Sequence, residues 1–284
     1  MKWLKRILIT LALLAGLGYA GICAYVYAKQ GQIVYLPTRT LDKSPRDNGL
    51  AYEDLHLQVR RATGVTESIN GWWIKSPQPN GMSLLFLHGN ARNMAANLPK
   101  MTALARAGFN VLSVDYRGYG LSDGDRPYEA ALYEDAGAAL DELKRREPDI
   151  KKRLIHGHSM GGAVAIDLAV RRPEAAALFV ESSFDSMFGM STIKAAYKLL
   201  PIDLILTERF DSLSKVPNLK LPVLFMHGTA DPLVPGRMSG VLFGAAPTPK
   251  RLMYVDGAFH SNMHDFPQYK EGLLTLITLA GMRP

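Results

Sequence analysis

The most chemically suggestive stretch of this 284-residue chain is Gly157-His158-Ser159-Met160-Gly161-Gly162, which follows the apolar segment Leu154-Ile155-His156 and opens the helix-like run from Ala163 to Leu168. A G-x-S-x-G pattern between a strand and a helix is that of a nucleophile elbow. So tight a turn strains the serine backbone, and glycines two residues before and after it remove side chains that would collide. The Ser159 hydroxyl is then held above the sheet, beside a helix N-terminus that favours developing negative charge. A lone serine is a poor nucleophile and needs a general base and an acid to orient that base. Two later segments supply them. Leu221 to Pro232 reads as a buried strand ending in a turn that carries Asp231, and Leu252 to His260 as a strand leading to His260. Taken singly, Asp231 would be a turn residue and His260 a surface histidine; the chain order serine, acid, histidine makes them a set. Asp256 and His264 rank below them, because Asp256 is expected still within the strand and His264 opens the following helix. The expected catalytic residues are therefore Ser159 as nucleophile, His260 as base and Asp231 as orienting acid, a set suited to acyl transfer.

Acyl transfer also requires donors for an oxyanion. Leu84-Leu85-Phe86-Leu87-His88-Gly89-Asn90 ends a strand with His-Gly, where a backbone amide can face the elbow, so the expected donors are the main-chain amides of Asn90 and Met160. The His88 side chain is expected to orient the loop. In the glycine-rich loop from Asp115 to Ser122, Asp115 and Arg117 are expected to pair with each other or with nearby backbone, a structural role. His156 and His158 lack the third ligand of a catalytic zinc, so no metal is expected, and the chemistry needs no organic cofactor.

These residues need a frame. Leu55 to Arg60 and Ile69 to Lys75 have the period-two patterning of half-buried strands, whereas Ser83–His88, Asn110–Asp115, Arg153–Gly157, Ala177–Glu181 and Pro222–His227 are short apolar runs suited to strands covered on both faces. Helix-like stretches alternate with them over Met94–Ala107, Tyr128–Arg146, Met160–Arg171, Gly236–Phe243 and Pro267–Leu279. Such alternation predicts a mostly parallel sheet with right-handed crossovers and a site at the carboxyl ends of its strands. No repeat or low-complexity tract interrupts it. Between Glu181 and Pro222 the chain is longer than a crossover needs and carries Met187, Phe188, Met190, Ile193, Tyr197 and a run of leucines and isoleucines. Residues of about 184–220 are expected to form a small helical lid whose apolar face lines an acyl pocket, with helices simply packed over the sheet as the alternative. Methionine-rich apolar segments adapt to varied chains, which suits a lipid-like substrate.

Residues 1–30 read as a transmembrane signal anchor and 31–284 as one catalytic domain. From Ile7 to Tyr27 no charge interrupts 21 residues, enough at 1.5 Å per residue to cover roughly 30 Å of bilayer core. A cleavable signal usually has a shorter apolar stretch, followed by a small-residue cleavage site. Lys2, Lys5 and Arg6 precede the run and Lys29 alone soon follows it, so the N-terminus is expected in the cytoplasm and the domain in the periplasm or an equivalent outer compartment. The net charge of +7 is otherwise scattered; Lys144-Arg145-Arg146 and Lys151-Lys152-Arg153 suit a helix end and a strand start. With no reader motif beside it, this charge predicts no nucleic-acid partner and is better used at anionic lipid headgroups. Cys23 is the single cysteine, so a disulfide-stapled fold is excluded.

Six motifs in order carry a family resemblance: His88-Gly89-Asn90-Ala91, Asp115 to Ser122, the elbow, Glu181-Ser182-Ser183-Phe184, His227 to Asp231, and Gly257 with His260. From about Gly71 to its C-terminus the chain resembles the bud-emergence-type α/β-hydrolases, membrane-anchored serine hydrolases similar to the protein depalmitoylases of the α/β-hydrolase-domain group. The resemblance implies the α/β-hydrolase fold, an N-terminal signal anchor, and cleavage of an ester, thioester or amide. One departure is informative: those depalmitoylases carry a cysteine-rich, lipidated N-terminus, and this chain has one apolar helix with one cysteine. The expectation is a serine hydrolase acting on small-molecule acyl esters, thioesters or other lipid-like substrates. An aminopeptidase-like amide hydrolase, a cofactor-free perhydrolase or carbon–carbon hydrolase, and a non-catalytic membrane-anchored binding or scaffold protein are the alternatives.

Overall fold

The computed structural model describes residues 2–61 and 64–282. One sheet of eight strands organises them. Along the chain these are β2 (Tyr52–Arg60), β3 (Thr66–Ile74), β4 (Ser83–Leu87), β6 (Asn110–Val114), β7 (Arg153–His158), β8 (Ala177–Glu181), β9 (Val223–Gly228) and β10 (Lys250–Val255). Two further strands, β1 (Leu36–Pro37) and β5 (Ala91–Arg92), pair in parallel beside the sheet. The spatial order is β10-β9-β8-β7-β4-β6-β3-β2, with β10 through β6 parallel and only β3 and β2 antiparallel to their neighbours. Order reverses between β4 and β7, which is where such sheets open a crevice at their carboxyl ends.

Alternation of side chains builds two cores. In β4, Leu85 and Leu87 face a layer made by α3 (Glu129–Arg146) and α4 (Met160–Arg171), while Leu84 and Phe86 face α2 (Leu98–Arg106) and α9 (Pro267–Leu279). Strands covered on both faces must be apolar throughout, and β4, β7, β8 and β9 are buried along their whole lengths. The outer strand β2 is mostly exposed and alternates, as its sequence does. Small residues let α4 lie close on the sheet: Gly162, Ala163, Ala165 and Ala169 are all buried. The predicted helix from Met94 begins as a 3₁₀ turn over Met94–Asn97 and becomes α-helical at Leu98. The basic run of Lys144 to Arg146 ends α3, where Arg145 and Arg146 reach Glu142 at 2.7 and 2.6 Å.

At the N-terminus, α1 (Lys2–Val34) has mean hydropathy of 2.2 in its most apolar window and is long enough to cross a membrane. It runs four residues past the expected boundary at 30. The extension has a packing reason, since Gln30 and Val34 are its two buried residues and lie against the domain. Between β8 and β9 the chain forms three short helices, α5 (Met187–Ile193), α6 (Ile202–Ile205) and α7 (Ser212–Lys215), and α8 (Arg237–Ala245) then links β9 to β10.

Candidate active site

The elbow follows from steric necessity. Ser159 ends β7 at φ 57°, ψ −123°, a left-hand conformation that costs a non-glycine residue of order 1–3 kcal/mol unless its surroundings enforce it. They do so through main-chain bonds: the Ser159 amide donates to the Glu181 carbonyl at 2.8 Å, and the Ser183 hydroxyl donates to the Ser159 carbonyl at 2.9 Å. Strand and helix are jammed together across the turn. A Cβ on Gly157 would stand 2.1 Å from the Gly161 carbonyl oxygen, and one on Gly161 would stand 2.1 Å from that of Leu87. Both glycines of the motif are therefore required by backbone contact.

Three strand ends bring the sequence-predicted residues together. The loop after β9 carries Asp231, the loop after β10 carries His260, and β7 delivers Ser159. His260 Nε2 lies 3.0 Å from Ser159 Oγ, and its Nδ1 lies 2.7 Å from Asp231 Oδ2. Asp231 is fixed in turn: its Oδ1 accepts the amides of Leu233 (2.8 Å) and Val234 (3.0 Å), and His227 Nε2 approaches its Oδ2 at 3.2 Å. Burial works against a charge there, but hydrogen bonds from His227 and His260 outweigh it and hold the carboxyl well below the usual carboxylate range. Neither rival makes these contacts. Asp256 accepts the Thr229 hydroxyl at 2.9 Å just beyond β10, and His264 lies in a 3₁₀ turn beside Asp265.

Asn90 stands at the end of β4 with Gly89 against the nucleophile, since a Cβ on Gly89 would lie 3.3 Å from that of Ser159. The Asn90 carbonyl accepts the Leu36 amide at 3.0 Å and the Tyr119 hydroxyl at 2.8 Å, and its side-chain amide donates to the Val34 carbonyl at 2.8 Å. Met160 is the first residue of α4, so its amide has no carbonyl one turn earlier to bond. His88 braces this loop as expected: its Nδ1 meets the Gly89 carbonyl at 2.8 Å and its Nε2 lies 3.3 Å from Asp115. Asp115 Oδ1 also accepts the Met94 amide at 2.6 Å. Arg117 corrects one expectation. It does not pair with Asp115 but inserts among Asp135 (2.6 Å) and Glu134 (2.5 Å) of α3 and Glu67 (3.1 Å) of β3, which present their carboxylates to the loop.

Sequence reasoning missed a second layer. His158, the residue between glycine and serine in the motif, donates from Nε2 to the His260 carbonyl at 2.9 Å and so fixes the backbone of the predicted base. Beneath it, Glu181 is fully buried with Lys100 on one oxygen and His156 Nε2 at 2.8 Å on the other. Burial opposes the Glu181 charge, yet Lys100 and the histidines prevail and hold the carboxyl well below its ordinary 4.5. A buried lysine on an amphipathic helix looks like a surface residue in sequence, and only strand pairing reveals its partner. Above these residues a cleft of about 550 Å³ is lined by Asn90, Ser159, Leu233, His260 and His264, within the usual range for a small-molecule site.

A serine on a strand-to-helix elbow, an imidazole in contact with it and a mostly parallel eight-stranded sheet together define an α/β-hydrolase-fold protein. The family described as serine aminopeptidase, S33, matches residues 78–201. The chain is 30% identical to the protein bem46 of Schizosaccharomyces pombe, over 86% of this chain and 80% of that one, and 30% identical to an uncharacterized Mycobacterium tuberculosis protein, over 90% and 88%. Its fold is similar to that of the Pyrococcus furiosus esterase Pf2001, at a TM-score of 0.68 and 23% identity, covering 86% of this chain and 98% of that one. The chain belongs to the α/β-hydrolase superfamily, which supports a hydrolase.

Proposed function

We propose that this protein is a membrane-tethered serine hydrolase that cleaves carboxylic esters or thioesters of acyl or lipid-like substrates. The observation that carries the reading is the position of His260, within hydrogen-bond reach of Ser159 on one side and Asp231 on the other. Ser159 Oγ attacks the acyl carbonyl while His260 Nε2 takes its proton, and Asp231 stabilises the imidazolium. The amides of Asn90 and Met160 receive the oxyanion. Collapse of the tetrahedral intermediate breaks the bond to the leaving group, which takes the proton back from His260. Water then attacks the acyl-enzyme with His260 as base, releasing the acid and restoring Ser159. Residues 184–220 serve as a lid over the neighbouring apolar cavity, which shares Asn90 with this cleft.

The test is hydrolysis of p-nitrophenyl esters from acetate to palmitate and of acyl-cysteine thioesters, with Ser159→Ala as control. The variant folds normally and loses at least about a thousandfold in turnover. Retained activity would move the nucleophile elsewhere. The match to the serine aminopeptidase family favours a second reading, amide hydrolysis, which predicts cleavage of peptide anilides in preference to short acyl esters.

Orientation follows from the flanking charge. With Lys2, Lys5 and Arg6 before the apolar run and Lys29 after it, α1 leaves its N-terminus in the cytoplasm and the catalytic domain outside. Modification of a surface cysteine introduced into the domain, by an impermeant reagent on intact cells, checks this; protection until lysis reverses the orientation.

A further inference from the structure

The membrane helix does more than hold the domain nearby. Near its end, Gln30 Oε1 accepts the amides of Thr207 (2.8 Å) and Glu208 (3.3 Å), and its Nε2 donates to the Ile205 carbonyl at 3.1 Å, so one buried side chain clamps the middle of the 184–220 segment. The segment touches α1 again at Tyr19, whose hydroxyl donates to the Leu199 carbonyl at 2.8 Å. Tyr19 lies well inside the charge-free run, about 16 Å along the axis from Gln30. A segment bonded at that depth lies level with bilayer hydrocarbon. Its exposed apolar side chains agree, since Leu199 and Leu204 are 79% and 84% exposed and would otherwise face water.

Between helix and segment lies a cavity of about 220 Å³. Its apolar walls include Val26 and Ile33 of α1 and Met187, Met190 and Leu206 of the segment, and Asn90 is among its lining residues. Asn90 also lines the cleft that contains Ser159 and His260, so one residue of the loop proposed to hold the oxyanion borders both spaces. The anchor fixes that junction: Val34 accepts the Asn90 side chain, and the strand that leaves α1 pairs with the residues following Asn90.

We infer that this cavity is the acyl-chain pocket, that the anchor helix is one of its walls, and that it takes a single aliphatic chain of an ester resident in the bilayer. The inference rests on the hydrolase reading and adds the origin of the substrate. An apolar tail enters between α1 and the segment from the membrane side, its carbonyl stops at Asn90 beside Ser159, and the polar leaving group occupies the cleft lined by His158, His260 and His264. Placing the wall on the anchor makes chain selection depend on residues that would otherwise only meet lipid.

The test uses the full chain in phosphatidylcholine vesicles and reads the ratio of kcat/KM for p-nitrophenyl palmitate to that for the acetate. Val26→Trp narrows the pocket from the helix side; Leu17→Trp places the same bulk on the opposite face of α1, where Leu17 is 70% exposed. Labelling of Ser159 by a small fluorophosphonate shows that each variant has an assembled site. The ratio falls at least about tenfold in Val26→Trp, since each excluded methylene forfeits several-fold, and stays at the wild-type value in Leu17→Trp. An unchanged ratio in Val26→Trp overturns the pocket, as does an equal fall in both variants, which would place the effect in membrane insertion. A wild type that hydrolyses acetate but no longer chain also overturns it. A wild type that neither labels nor hydrolyses any ester fails earlier, at the hydrolase reading itself.

Discussion

The elbow and the segment between β8 and β9 are built on opposite terms. Around Ser159 the packing is tight: Gly157 and Gly161 have no room for a methyl group, the strained serine is bonded on both sides, and Glu181 is buried below with Lys100 and His156. Over residues 187–199, by contrast, no residue is fully buried, the helices are one or two turns long, and large apolar side chains point outward. The proposed chemistry requires positions held to fractions of an ångström, which the first kind of structure supplies because strand ends anchored in a packed sheet cannot drift. Recognition of a flexible chain suits the second, where methionines and short helices can shift at small cost. The two regions meet at Asn90, which belongs to the rigid loop but is tied to α1 by its side chain.

The largest expected effect breaks the rigid side. Asp231→Asn keeps the shape, and the new side-chain oxygen can still accept the Leu233 and Val234 amides. Its NH2 then faces His260 Nδ1, which must accept rather than donate, so the imidazole proton moves to Nε2 and points at the hydroxyl it should deprotonate. Turnover falls about ten-thousandfold with little change in the unfolding midpoint. A loss below about tenfold would mean that Asp231 does not orient the base. Next comes the sealed charge beneath the elbow. A carboxyl held below its ordinary value stabilises the fold in full above that value and loses the contribution as pH falls toward its folded one. For Glu181 the loss begins below about 4.5. Removing the pair together, as Glu181→Gln with Lys100→Met, avoids stranding a buried cation and flattens the acid side of the stability–pH curve measured by urea unfolding. An unchanged slope would show that Glu181 carries no such charge.

The same contrast explains what was legible in the sequence. Buried strands must be apolar on both faces, so β4, β7, β8 and β9 stood out as short runs, and glycines around Ser159 stood out because a tight turn tolerates nothing larger. Strand ends inherit that legibility: the order of Ser159, Asp231 and His260 along the chain marks them as a set, and the structure brings their side chains into contact. What stayed hidden depends on pairing across distant segments. Lys100 of α2 meets a Glu181 that lies 81 residues away in the chain, Arg117 turns to Asp135 because α3 lies behind its loop, and His158 reaches a carbonyl 102 residues away. The last turn of α1 was hidden for a related reason: Gln30 looks like the polar end of a membrane helix, and its role is set by amides at Thr207 and Glu208.

The smallest expected effect sharpens the comparison from the yielding side. Leu204 sits on α6 with its side chain open, so Leu204→Ser removes no packed contacts, and its unfolding free energy in detergent stays within about 0.5 kcal/mol of wild type. Leu85, fully buried in β4, provides the opposite case, where Leu85→Ala leaves a cavity and costs about 2–5 kcal/mol. The two leucines are alike in sequence and differ only in what covers them. If Leu204→Ser were to cost about 2 kcal/mol or more under the same conditions, the segment over the site would belong to the cooperative core, and the division between a rigid chemical layer and an adaptable cover would fail. If instead its cost is small in detergent while the variant partitions less readily into vesicles, the missing partner of Leu204 is lipid, and the cover owes its shape to the membrane rather than to the sheet beneath it.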